Sequence, residues 1–237
     1  DNERGMVVGT LEKRIGTLSL VARPLPKVSE ELRTKILCEV IRKEGLRALN
    51  WGDDERAWQF RVMSLRIWRP EEAWPDVGDE NLLHTLETWL APYLNGVSKR
   101  TELEKLNLPQ ILEGLLPWEL TNKLDTWAPA KLEVPSGSMI ALIYFPDGKS
   151  PIMEVRLQEV FGLTETPTVN EGRTKVTLHL LSPGYKPVQV TQDLKSFWKT
   201  TYHDVRKELR VRYQRHHWPE DPWTAEAVRG AKKRNKI

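Results

Sequence analysis

Arg206, Lys207 and Arg210 lie within five residues of one another near the C-terminal end of the chain, and Arg215 follows about one turn later. A guanidinium group presents a rigid fork of donors that matches phosphate oxygens, so cations grouped on one helix face can hold a polyanion. Tyr202, Tyr213 and Trp218 interleave with them, and aromatic faces of this kind can stack on unpaired bases. The implied partner is a single-stranded nucleic acid, RNA or DNA. The same cations have two other uses. They can pair with Asp204, Glu208 or acids elsewhere in the chain and hold its parts together, or they can meet a protein partner.

Other reactive residue types make weaker groups. His203, His216 and His217 sit close together beside acids, but a zinc site needs convergent ligands, no cysteine accompanies them, and adjacent side chains at 216 and 217 point apart. Ser136 and Ser138 flank Gly137, yet Pro135 precedes Ser136 and the nucleophile motif G-x-S-x-G is not matched, so a turn is expected. Glu154 and Glu159 are expected as solvated surface carboxylates rather than a paired acid and base. No catalytic, cofactor-binding or metal-ligating residue is assigned. Cys38, the only cysteine, falls on an apolar helical face as a small buried hydrophobe and cannot form an internal disulfide. That fits a reducing compartment and an expected cytoplasmic location. No signal-peptide pattern opens the sequence, and no run approaches the about 18 apolar residues of a membrane span, so no membrane contact is expected.

The elements that must position the basic cluster begin at Pro187. Val188 and Val190 alternate with Gln189 as in a strand, Thr191 can cap a short helix carrying Leu194 and Trp198, and a second helix runs from about Tyr202 to Tyr213 with Val205 and Leu209 on its apolar row. Upstream, residues 5–11 and 17–23 alternate as two strands around a turn at EKRIG. Two strands alone are marginal in water. Residues 1–26 are therefore expected to be a β-hairpin remnant of a larger domain, and the chain, which opens at Asp1, a fragment.

From 27 to 127 the period is that of helices. Ser29 caps a helix carrying Leu32, Ile36 and Val40, with Leu37 and Ile41 beside that row; Asp53 opens one with Trp58, Val62 and Leu65; Asp79 caps one with Leu82, Leu86 and Trp89. Asn107 and Pro117 start two more, the last holding Trp118, Leu120 and Leu124. The tryptophans on these rows are expected in the core. Near Ala130 the apolar period changes to two, with strands at 131–134, 139–145, 152–156, 174–181 and 187–190, turns at 135–138, 146–149 and 182–185, and a helical turn at LQEVFGL. The fold class is α+β: the hairpin, an all-helical domain over 27–127, a small mainly antiparallel α+β domain over 128–222 ending in the basic helix, and a flexible basic tail at 223–237.

Of 237 residues, 39% are hydrophobic, ten are tryptophan, and the 29% that are charged are mixed in sign, a composition that excludes a disordered chain. The net charge of +3 is unevenly placed. From Lys199 to the end, eleven Lys and Arg stand against five Asp and Glu, while the preceding residues carry 25 against 28. A basic end on a slightly acidic body suggests an anionic partner for that end, or a solvated helix face and a frayed terminus.

The order strand, helix, basic helix and Trp-Pro-rich end over Pro187–Pro222 resembles the C-terminal end of HrpB-type ATP-dependent helicases, a bacterial branch of the DEAH-box group. WPDVGDENLLHTLETWLAPYLNGV, LLPWEL, LEVPSGS, RLQEVFGLTETP and HLLSPGYKPVQVTQDL resemble the same family, in the same order. The resemblance implies a hairpin that ends an OB-like domain and a parent protein with a RecA-like motor, for which ATP and magnesium are expected. It implies the helicase core as a partner in cis and an accessory role in nucleic-acid binding, with recruitment of a protein partner or bracing of the motor as alternatives. No GxxxxGK[ST] and no Asp-Glu-x-His occurs here, so no catalytic residue carries over, no cofactor is expected in this chain, and no ATP hydrolysis is expected from it.

Overall fold

The computed structural model describes residues 6, 8, 10–15, 17–24 and 28–231. Its architecture is α+β, with helices between residues 30 and 127 and a five-stranded sheet after them. Contacts group the chain into two compact units, residues 1–59 with 75–117, and residues 60–74 with 118–237.

In the first unit β1 (Thr10–Ile15) and β2 (Leu18–Pro24) form an antiparallel hairpin with a register shift at Lys13/Arg14. The expected EKRIG turn belongs instead mostly to β1, whose last residue, Ile15, pairs with Leu18; part of the expected first strand lies outside the described residues. α1 (Glu30–Glu44) starts where the Ser29 hydroxyl accepts from the amide of Leu32. The face it buries is Leu37, Cys38 and Ile41, not the row Leu32–Ile36–Val40, whose ends are exposed. Both rows have helical spacing, and only the tertiary neighbours choose between them. Burial pushes the Cys38 thiol up, the direction of an inert packing residue.

α2 (Asp53–Trp68) follows, its first turns in this unit. The expected single helix from Asp79 is two, α3 (Asp79–His84) and α4 (Leu86–Trp89), broken at Thr85, with Gly78 rather than Asp79 in the cap position. Asp79 is instead held by Arg56 at 2.6 Å and Gln59 at 2.7 Å. A short α5 (Arg100–Leu103) precedes α6 (Leu108–Glu113), which Asn107 caps through Gln110. Arg42 ties α1 to α4 with a bidentate pair to Glu87 at 2.7 and 2.8 Å. Leu82, Leu86, Leu90 and Leu94 are fully buried.

The second unit combines the later turns of α2 with α7 (Trp118–Trp127), β3 (Lys131–Glu133), β4 (Met139–Ile143), β5 (Ile152–Arg156), a two-stranded hairpin of β6 (Thr168–Val169) and β7 (Thr174–Lys175), β8 (Thr177–Leu181), β9 (Pro187–Thr191), α8 (Leu194–Thr200) and α9 (Tyr202–Arg212). The sheet order is β3-β4-β5-β8-β9, antiparallel except for the parallel pair β5–β8. Leu142, Met153, Val155, Leu178 and Leu180 face one side and are buried. That alternation is the period-two pattern of the sequence. Trp68 Nε1 donates to the carbonyl of Gly148 at 2.6 Å, and a Cβ on Gly148 would lie 2.7 Å from Ile67 Cγ2, so the turn before β5 sits directly on α2. Trp118, expected in the core, is 78% exposed.

Arg69 is the buried polar anchor of this unit. Its side chain is 4% exposed, lies 3.8 Å over the Trp127 ring, and donates to Asn170 Oδ1 at 2.5 Å and Glu171 Oε2 at 2.6 Å. Asn170, Glu171 and Gly172 all have positive φ, a turn that an isolated chain would rarely adopt and that Arg69 holds from outside. Arg69→Ala leaves Asn170 and its carbonyl without their buried donor and is expected to cost about 3 kcal/mol of unfolding free energy. A urea titration measures it; a loss under about 1 kcal/mol, the usual worth of an exposed ion pair, would show the anchor is not needed.

Candidate nucleic-acid interface

α9 owes its orientation to four aromatic rings. Phe161, Trp198 and Tyr202 pack with centroids 5.3 to 6.0 Å apart, two of the three pairs edge to face, and Phe197 joins from α8. α8 is capped by Asp193, whose carboxylate accepts from the amide of Ser196; Thr191, the expected cap, instead accepts from the amide of Asp193. Tyr202 and Leu209 are the buried residues of α9. Tyr202 is fully buried and donates its hydroxyl to the carbonyl of Pro219 at 2.8 Å; burial pushes its phenol pKa up, with nearby Arg206 pulling the other way.

The structure separates the seven sequence candidates. Tyr202 and Trp218 are buried, and the Trp218 indole donates to the carbonyl of Tyr213 at 2.9 Å. Neither ring has a face open to a base, which corrects the stacking expectation: both are the apolar side of the helix and of the loop folded back beneath it. Tyr213 is half-buried, with its hydroxyl 3.2 Å from Ser182 Oγ and an edge against His216. Arg206 points inward. Its Nε donates to the carbonyl of Trp218 at 3.0 Å and its Nη2 pairs with Glu220 at 3.1 Å, so the expected phosphate contact is an internal tie. Its place one turn after Tyr202 puts it beside the buried face. Lys207 is exposed and pairs with Asp204 at 3.0 Å. Arg210 and Arg215 are exposed and, among the described residues, have no ion-pair or side-chain hydrogen-bond partner.

Arg212 is exposed in the same way and was not singled out in the sequence, where it reads as a flank of the apolar row. With Val211, Tyr213, Gln214, Arg215 and His216 it lines a shallow concavity of about 340 Å³ at the end of α9. His216 Nδ1 lies 2.9 Å from Gln158 Oε1, and burial followed by Arg156 lowers its pKa. His217 sets its edge on Phe161, and among the described residues no group of His, Cys, Asp and Glu converges as a metal site.

The carboxylates stand apart. Glu159 is buried, pairs with Arg156 at 2.7 Å and accepts from the Ser136 hydroxyl at 3.0 Å, while Glu154 is exposed beside His179. Burial alone pushes the Glu159 carboxyl up, but hydrogen bonds from Ser138, Arg156 and Ser136 outweigh it and leave the pKa lowered. The segment after Pro222, expected to be frayed, is hydrogen-bonded as far as Gly230. Gln158 and Arg229, which hold it, carry no signal in the sequence.

A mixed sheet preceded by short helices, with a basic helix at its end, defines the class as an α+β domain. Comparison with known proteins makes the assignment. The family described as ATP-dependent helicase C-terminal, HrpB_C, matches residues 89–222, and the chain belongs to that family. It is 40% identical over 233 residues to the ATP-dependent RNA helicase HrpB of Escherichia coli strain K12, covering 98% of this chain and 29% of that protein. The crystal structure of the E. coli DExH-box NTPase HrpB matches with a TM-score of 0.81 at 41% identity, over 93% of this chain and 27% of that one. A second crystal structure, of the E. coli DEAH/RHA helicase HrpB, matches with a TM-score of 0.69 at 40% identity, over 88% and 26%. The chain thus spans less than a third of the relatives it matches. Among the described residues no helix is long and apolar enough to cross a membrane.

The inward and outward cations should separate on substitution. Arg206→Gln removes a donor to a carbonyl and is expected to lower stability by about 1–3 kcal/mol. Lys207→Gln and Arg210→Gln should each stay within about 0.5 kcal/mol of the wild type. Thermal and urea unfolding of the three variants checks this; equal stability of Arg206→Gln and Lys207→Gln would contradict the inward role.

Proposed function

We propose that this chain is an accessory region of an HrpB-type ATP-dependent helicase and that it adds a sequence-independent grip on the phosphates of single-stranded nucleic acid. The observation that carries the proposal is the set Arg210, Arg212 and Arg215, exposed and without partners among the described residues at one helix end. A helix C-terminus carries about half a negative charge and can use one nearby cation. Three exceed that need. Guanidinium forks suit phosphate oxygens, and no group around them is arranged to read base edges, so the contact is independent of sequence. The motor, with its ATP and magnesium, lies in the longer polypeptide that the relatives represent, and strand delivery to that motor is the role proposed here. Cys38, the only cysteine and fully buried, supports a cytoplasmic setting.

Trp118 supports a second reading, recruitment of a protein partner. A tryptophan 78% exposed on α7 is the type of side chain that anchors protein interfaces. Salt separates the two, because phosphate binding weakens with ionic strength while apolar docking does not.

Arg210→Gln, Arg212→Gln and Arg215→Gln combined should weaken binding of fluorescent oligo(U) and oligo(dT) alike, and flatten log affinity against log salt by up to about 0.7 for each lost contact. The triple variant should keep the wild-type melting temperature. Unchanged affinity and slope would refute the phosphate grip. The wild-type chain, incubated with ATP and oligo(U), should release no phosphate above the buffer rate.

A further inference from the structure

The turn between β8 and β9, residues 182–186, is closed on itself. The amide of Tyr185 donates to the carbonyl of Ser182 at 2.9 Å, the amide of Ser182 to the carbonyl of Lys186 at 2.8 Å, and the amide of Lys186 to the Ser182 hydroxyl at 3.1 Å. Within it Tyr185 takes a φ of 58°, a left-handed conformation that is an outlier for a bulky residue. Gly184, beside it, serves packing instead: a Cβ there would lie 2.7 Å from the Tyr213 hydroxyl. That hydroxyl also meets Ser182 Oγ at 3.2 Å, so the turn is fastened to the residue that follows Arg212. Tyr185 is 67% exposed, and among the described residues its hydroxyl has no hydrogen-bond partner. The Arg156 guanidinium lies 5.3 Å from its ring centroid, while Arg156 Nε pairs with the buried Glu159 at 2.7 Å. Burial and then Arg156 hold the His216 imidazole below its ordinary pKa, so the charge against Tyr185 is felt in the concavity formed by residues 211–216.

We infer, on the basis of the phosphate-grip reading above, that Tyr185 is the stacking platform for an unpaired base of the same strand whose phosphates Arg210, Arg212 and Arg215 hold. Every base has a face, so a stacked ring adds affinity without reading sequence. The rings first expected in this role are engaged elsewhere: Tyr202 and Trp218 are buried, and Tyr213 is half-buried against the turn. Capping Arg156 accounts for the side of the Tyr185 ring turned to the guanidinium, but not for a side chain two-thirds exposed. A glycine would hold the positive φ without strain, so the tyrosine keeps a backbone cost that the turn itself does not require. The surroundings suit a polyanion, since Lys186 next to it is exposed and Arg212 and Arg215 flank the tyrosine to which the turn is fastened. The closed turn and Arg156 orient the ring before a strand arrives, so little side-chain freedom is lost on binding.

The test uses the whole chain and three labelled strands of about twelve nucleotides, titrated against salt: oligo(U), oligo(dT), and an abasic deoxyribose-phosphate strand of the same charge. Tyr185→Phe keeps the ring, Tyr185→Leu removes it, and Tyr185→Gly removes it while suiting the positive φ. On oligo(U) and oligo(dT) the Leu and Gly variants should each lose affinity about fivefold or more, and Tyr185→Phe should stay within about twofold of the wild type. On the abasic strand all three should bind as the wild type does. The slope of log affinity against log salt should not move in any of them, because a stacked ring neutralises no phosphate. An equal loss on abasic and base-bearing strands would show that Tyr185 only keeps Arg156 and the turn in place, and would overturn the platform. If the combined variant of Arg210, Arg212 and Arg215 weakens binding while no Tyr185 variant does, the platform is wrong and the phosphate grip stands. If neither set changes affinity, both are wrong. Thermal melts of the same samples accompany the titrations, and where Tyr185→Leu melts early the comparison is carried by Tyr185→Gly, whose backbone fits the turn.

Discussion

The second unit depends on the packing of Tyr202 against Trp198 and Phe161. That contact fixes the rotation of α9 about its own axis. With Tyr202 and Leu209 turned inward, Arg206 is carried to the edge of the buried face, and Lys207, Arg210 and Val211 are carried outward. Aromatic pairs in edge-to-face geometry add about 0.5–1.5 kcal/mol each beyond the area they bury, so three rings in mutual contact resist a rotation that would cost only a salt bridge. The charge pattern of the helix surface is thus set by an apolar decision.

Much of this architecture was legible because it follows from local period. The change from helical to alternating spacing near Ala130 marks the place where β3 begins, and the proline and glycine turns bound β4, β5 and β9 within a few residues. Ser29 and Asn107 cap the helices that their neighbours predict. What was not legible needs partners distant in sequence. Leu32–Ile36–Val40 and Leu37–Ile41 are equally good rows by spacing, and α1 buries the second. The break at Thr85 carries no proline or glycine; its hydroxyl donates to the carbonyl of Asn81, a bond that competes with helix continuation.

The site was legible only in composition. An excess of cations after Lys199 points to an anionic partner, but it does not say which cations face it. Arg206 and Arg210 stand one turn apart with similar neighbours. They part because the chain returns, sixteen residues after Tyr202, to place the carbonyl of Trp218 under Arg206. Trp218 and Tyr202 looked like stacking platforms for the same reason: an aromatic ring among arginines has two uses, and the returning loop chose burial.

The inward arginine and the outward ones are then one device. Arg206 and the Trp218 indole pin the loop over 213–220 from two sides, and Tyr213 pins its start against Ser182. Arg215 sits on that loop. A side chain on a free loop would lose backbone and rotamer freedom on meeting a phosphate, whereas here the backbone part of that cost is already met on folding. Gln158 repeats the arrangement at the next crossing, with His216 on one side and Gly230 on the other. A sequence-independent grip has no base-specific contacts to strengthen it, so its affinity depends on how many cations are held in place before the strand arrives. In the proposed grip, the half-buried Arg206 and the buried Gln158 hold the chain on either side of Arg215.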